Sequence, residues 1–387
     1  MMNKNISEFK LPYSYYEWVI GARSYFMETD FKSNPTLMQY FYQIDQNLNK
    51  ISFTVESHEN FAREVKYFQS WASFDQKYVE LLDTIDVVYD KNSKELLDNK
   101  QSTIYCTYHV GSYRILNMYL LSKQIPFVLI TDKQYIDKQG DETYQDIEKL
   151  NNQINAGTFN FDFQIINAEN RNSILQIRDY IKRGYSLVFY IDGNSGVPLR
   201  DNKNLEEVRL LDEIVLARKG IAYISSRFNL PIIPVIAPRE DWGRIKLIFK
   251  KPILQENQDS TSYIKQTTKK LFLILEHYIK KYPAQWEGWL YLEKFLPQET
   301  IENRDLKPRE NTLSFNFQRY HILKFNTVNV LFDKLTLASI EMSNELFTLL
   351  TYIQNNKVKI MDSYCIDNIT YQQRAIADLL ENQIILK

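Results

Sequence analysis

The sequence predicts an α/β protein, a mixed sheet flanked by helices, with a small α+β unit after it. Three observations carry that expectation. The first hundred residues read as helical, short β-rich runs alternate with helix-period stretches from residue 102 onward, and the 44% hydrophobic and 25% charged residues are those of a globular chain. At 387 residues, one large domain plus a small one is expected.

The elements follow in order. Asn34-Pro35 opens a helix through NPTLMQYFYQIDQNLNK, with Asn as cap and Pro at the first helical position. A second helical stretch covers 59–71. The predicted strands are STIYCTYH (102–109), PFVLITD (126–132), FDFQIINA (161–168), YSLVFYID (185–192), PIIPVIAP (231–238) and RIKLIFKKPI (244–253). Between them Ile174, Ile177 and Ile181 recur at helix spacing, and 211–228 reads as another helix. Helices near 260–281 and 286–295 close a first domain of 1–296. The charged, Pro-containing 297–311 (PQETIENRDLKPREN) reads as a linker. Residues 312–387 then form a small domain, a β-like hairpin (YHILKFNTVNVLFDKLTLASI) followed by two or three helices.

Lys and Arg (47) nearly cancel Asp and Glu (48), which argues against a nucleic-acid partner. Cys106 and Cys365 show no metal-ligand spacing, so reduced thiols, a cytoplasmic location and neither metal nor cofactor are expected. No run approaches the roughly 18–20 apolar residues of a membrane span, and MMNKNISEFK has no signal-peptide core. At most a peripheral membrane contact is expected. The 27 Tyr and 22 Phe suit apolar grooves with a wet rim, or simply reflect genome composition.

Four histidines are present. His277 falls in an amphipathic helix, His321 in a strand-like run and His58 in a polar stretch, all better read as structural. His109 differs, because it ends the apolar run 104–108 and precedes Val110-Gly111-Ser112 and a helix. That places it at the carboxyl end of the sheet, where open α/β sheets bind ligands. An imidazole there can take a proton from a hydroxyl or amine at neutral pH. Asp192-Gly193-Asn194 also follows a buried strand and is open to reading as a turn or as part of the same site.

Residues 102–114 (STIYCTYHVGSYR) resemble the first motif of the lysophospholipid acyltransferase-like superfamily, closest to the HtrB-like late acyltransferases of lipid A biosynthesis. Further matches follow in order: Lys182-Arg183-Gly184 with LVFYIDGNSG, then 217–220 with FNLPIIPVIAPR, then YPAQWEGWLYLEKF. Together they cover about 10–296. The resemblance implies a glycerolipid acyltransferase-like fold, His109 as general base, and an acyl donor carried as a thioester on acyl carrier protein or coenzyme A. It implies substrate-binding roles for Ser112, Asp192, Gly193, Asn194, Arg218 and Arg239.

The family motif has a carboxylate five positions after its His, and here that position is Arg114. A guanidinium disfavours imidazolium and offers the ring N–H no acceptor. Three readings are open. His109 is oriented by another carboxylate such as Asp192 or Glu287 while Arg114 binds an anionic substrate group; the site is a non-catalytic adaptor; or Arg114 is structural. The C-terminal region resembles the winged-helix peptide-binding (PqqD-like) domain of PQQ synthesis, which implies a precursor peptide partner; a packing or dimerisation appendage is the other reading. Lipid A acyltransferases carry a membrane anchor that this sequence lacks, so peptide modification or natural product biosynthesis is expected over lipid A or a lysophospholipid as acceptor.

Overall fold

The computed structural model describes residues 11–31, 34–51, 53–193, 204–241, 244–297, 312–325, 328–356, 358–359, 363–366 and 369–386. Nearly all of the expected linker, and Asn194, lie outside them. The chain divides into two compact units, one of Met1–Met27 with Glu64–Phe295, the other of Glu28–Arg63 with Leu296–Lys387. Residues 28–63, which the sequence reading grouped with the first domain, therefore cluster with the C-terminal region.

Three helices come first: α1 (Tyr13–Glu28), α2 (Pro35–Lys50) and α3 (His58–Asp75). Asn34 caps α2 as expected, accepting from the N–H groups of Thr36 and Leu37. Next come β1 (Asp86–Tyr89), α4 (Lys91–Asp98), β2 (Ile104–Gly111), α5 (Ile115–Ser122), β3 (Phe127–Thr131), α6 (Lys133–Asn155), β4 (Gln164–Asn167), α7 (Ser173–Lys182) and β5 (Ser186–Tyr190). A hairpin of β6 (Leu205–Leu210) and β7 (Glu213–Arg218) leads into α8 (Gly220–Phe228), β8 (Ile232–Ala237), β9 (Arg239–Asp241), β10 (Arg244–Phe249) and α9 (Ser260–Lys281).

The main sheet runs β1-β10-β8-β2-β5-β3-β4, with β9 on β10. Its pairs are parallel except β10 with β8 and β9, so the sheet is mixed. Central β2 is buried from Ile104 to Tyr108, as a strand covered on both faces must be. Alternation along it sends Tyr105 into a cluster with Tyr15, Trp71 and Leu116, while Tyr108 donates to the Leu271 carbonyl of α9 at 3.1 Å.

Three expectations are corrected. The first hundred residues are not all helical, because Asp86–Tyr89 forms an edge strand parallel to β10. Residues 211–228 are not one helix: Leu211 and Asp212 turn with positive φ (51° and 69°), Val215 and Ala217 alternate inward on β7, and the helix starts only at Gly220. Residues 286–295 form short 3₁₀ turns (Glu287–Leu290, Leu292–Phe295) instead of an α-helix. No helix among the described residues is long and apolar enough to cross a membrane.

In the second unit the expected hairpin is a three-stranded antiparallel sheet, β11 being Thr312–Phe315 and the sheet β12 (Tyr320–Lys324), β13 (Asn329–Asp333) and β14 (Ala338–Met342). Helices α10 (Asn344–Asn355) and α11 (Gln373–Glu381) follow. Phe315, Leu331, Leu350 and Ile376 share its core. His58 Nδ1 and His321 Nε2 both meet the buried Asp45 carboxylate at 2.7 Å, which gives these two histidines a structural partner.

Candidate active site

Strand register builds the site. Thr107 of β2 stands opposite Tyr190 of β5, and the N–H of Ile191 donates to the Thr107 carbonyl at 3.2 Å. Two residues further along each chain, His109 and Asp192 are neighbours. On the other side β2 slips out of step with β8: Thr107 pairs with Val235, but the next pairing is Gly111 with Ala237. This bulge frees the backbone around His109, as bulges beside functional sites do. Gly111 then closes the strand at φ +64°, where a Cβ would stand 2.4 Å from the Ala237 carbonyl oxygen.

Asp192 is almost fully buried and grips His109 twice. It accepts from the backbone N–H of His109 at 3.0 and 3.1 Å, and its Oδ1 lies 2.9 Å from the ring Nδ1. Its Oδ2 accepts from the Trp286 indole N–H at 2.8 Å. A carboxylate on Nδ1 places the ring proton there and leaves the Nε2 lone pair available. Trp286 is held in turn by Gly288, since a Cβ at 288 would overlap the indole at 2.2 Å.

Tyrosines wall the ring. Tyr113 packs edge-on to His109 at 4.7 Å between ring centres, and Tyr190 lies at 5.0 Å. The Tyr113 hydroxyl donates to Glu287 at 3.0 Å, and the Gln69 amide donates to the other Glu287 oxygen at 3.0 Å. Lys66 donates to Gln69, and burial pushes its ammonium down to about 8 against the pull of Glu287. Burial works to lower the His109 pKa, but the charge and hydrogen bond of Asp192, helped by Glu287, outweigh it and the opposing Arg114. The net result is a raised pKa. This arrangement can take up a proton at Nε2 and stabilise the imidazolium that forms.

A family model for the bacterial lipid A biosynthesis acyltransferase matches residues 55–294. The chain belongs to the lipid A biosynthesis acyltransferase family. A solved 1-acyl-sn-glycerophosphate acyltransferase from Thermotoga maritima is also similar, at 14% identity and a TM-score of 0.34, over 70% of this chain and 99% of its own. No curated protein matches the chain.

Within this family member, the structure brings His109, Asp192 and Gly193 together, a Cβ at 193 lying 3.6 Å from the His109 ring. Arg218 ends β7 and reaches the Gly193 carbonyl at 3.4 Å, although burial works against its charge. Two residues offered as substrate-binding are placed otherwise. Ser112 is fully buried, with its backbone N–H donating to the Ala237 carbonyl at 2.8 Å. Arg239 is 2% exposed, ion-paired with Asp75, bonded to the Tyr15 hydroxyl at 3.0 Å and stacked 3.6 Å over Trp71. It braces the fold. Sequence reasoning missed Trp286 and Tyr190; both lie inside segments that carried the resemblance, but nothing local marks them as neighbours of His109. Among the described residues no group of three His, Cys, Asp or Glu side chains is placed to hold a metal.

Proposed function

We propose that this protein transfers an acyl group from a thioester to a hydroxyl or amine acceptor, with His109 as general base and Asp192 as its positioning residue. The contact between Asp192 and Nδ1 carries the reading, because it supplies the carboxylate that the Arg114 position lacks. His109 Nε2 takes the acceptor proton as the acceptor oxygen or nitrogen attacks the thioester carbonyl. The tetrahedral intermediate then expels the thiolate, which takes that proton from the imidazolium to leave as a thiol. The donor is a thioester of acyl carrier protein or coenzyme A. Family membership favours a hydroxyl-bearing lipid of the lipid A class over the peptide or natural-product acceptor expected from the sequence. The adaptor alternative drew on Arg114; a carboxylate on the ring from Asp192, just after β5, supports the enzyme reading over it.

The test is acyl transfer from decanoyl-coenzyme A and decanoyl-carrier protein to lipid acceptors, followed by mass spectrometry across pH. A base must be unprotonated, so kcat/KM is expected to fall as pH drops through the His109 pKa. Because that pKa is raised, the acid limb is expected above the ordinary value of about 6.5. Turnover no faster than buffer, or a limb below 6, overturns the reading.

A further inference from the structure

Arg114 is the residue the mechanism leaves unused. It is the N-cap residue of α5, directly after Tyr113, whose ring packs on His109. Its side chain is half-buried, and its hydrogen bond to the Gln76 amide oxygen is long, at 3.4 Å. Gln76 is itself engaged, donating to Asp146 at 3.0 Å. Tyr113, Tyr135 and Tyr190 also interact with Arg114. No Asp or Glu among the described residues lies within ion-pair distance of it, whereas the fully buried Arg239 has Asp75. A partly desolvated guanidinium without a counter-charge is costly, and its planar fork of donors suits a carboxylate or phosphate.

The position also bears on the base. The charged and titratable groups facing His109 are Asp192 after β5, Glu287 in the closing turns, Tyr113, Tyr190 of β5, and Arg114, whose charge opposes the imidazolium. We propose that Arg114 binds an oxyanion of the acceptor, a carboxylate or a phosphate, and that this anion cancels the guanidinium's charge and so activates His109 when the matching acceptor is bound. The inference rests on His109 acting as the base. The acceptor then brings the negative charge that the family motif places at this position.

Two matched pairs of small acceptors test it with decanoyl-coenzyme A: glycerol against glycerol 3-phosphate, and serine amide against serine. The first pair reads phosphate, the second carboxylate. Wild-type kcat/KM is expected to favour the anionic member of at least one pair by roughly ten- to hundredfold. Arg114→Gln is expected to flatten that ratio, and Arg114→Lys to keep part of it. A wild-type ratio near one in both pairs, or a ratio unchanged in Arg114→Gln, overturns the proposal, while turnover lost in His109→Ala keeps the base reading intact. A second measurement needs no turnover. Imidazole NMR, with the His109 signal assigned by its loss in His109→Ala, follows titration with inorganic phosphate and acetate. One of these anions is expected to raise the His109 midpoint in wild type and not in Arg114→Gln. No shift with either anion, or equal shifts in both proteins, overturns the proposal.

Discussion

Replacing His109 by Ala is expected to reduce acyl transfer to background, and Asp192→Asn is expected to lower kcat by about 10³- to 10⁴-fold. The second change is the more informative. The Asn amide oxygen can still accept from the Trp286 indole or the His109 backbone N–H, which Asp192 holds at 2.8 and 3.0–3.1 Å. Its NH₂ group, turned to Nδ1, donates where the carboxylate accepted. The ring proton then sits on Nε2, the atom that must receive the acceptor's proton. The effect should appear in kcat with KM little changed, because no substrate contact is removed. Single-turnover kinetics on both variants, with thermal melts to confirm folding, measure it. A kcat within tenfold of wild type for Asp192→Asn would exclude Asp192 as the group that orients the base.

The largest effect on stability is expected at Asp75. Its carboxylate meets the Arg239 guanidinium and accepts from the Tyr15 hydroxyl at 3.0 Å, and both charged side chains are within 1% of complete burial. Asp75→Ala leaves a guanidinium stranded against Trp71 and is expected to cost about 3–5 kcal/mol. Removing both charges with Asp75→Leu and Arg239→Met should recover much of the loss, because the uncompensated charge causes it. Urea unfolding of the two variants checks this, and a loss below about 1 kcal/mol in Asp75→Ala would show that water reaches the pair. The same bracing holds the site's floor. The Arg239 N–H donates to the Gln285 side chain at 2.8 Å, and that side chain returns a bond to the Arg239 carbonyl at 2.7 Å, beside Trp286 and against Gly111.

Much of the fold was legible because its signals are local. The apolar runs at 102–109, 126–132, 185–192 and 231–238 became β2, β3, β5 and β8, since strands buried on both faces leave continuous apolar runs. The failures are where local signals are weak or divided. Asp86–Tyr89 is four residues long and half-exposed, so it carries little pattern, and only its pairing with β10 makes it a strand. In 211–228 a hairpin arm runs straight into a helix, and apolar spacing alone does not separate a period of 2 from one of 3.6 over so few turns.

By itself the sequence determined the central strands and most of the helices between them, the place of His109 at a strand end and the family motifs that surround it. It also exposed Arg114 where an acid was expected. Only the tertiary structure decided which acid serves His109. Asp192 is 83 residues away, and Trp286 is a further 94 beyond Asp192. Parallel strands joined by helices have a register set by packing across the whole sheet, which no local pattern encodes. The same packing drew Arg239 into a buried pair with Asp75 and left Arg114 beside the tyrosines, without an ion pair among the described residues.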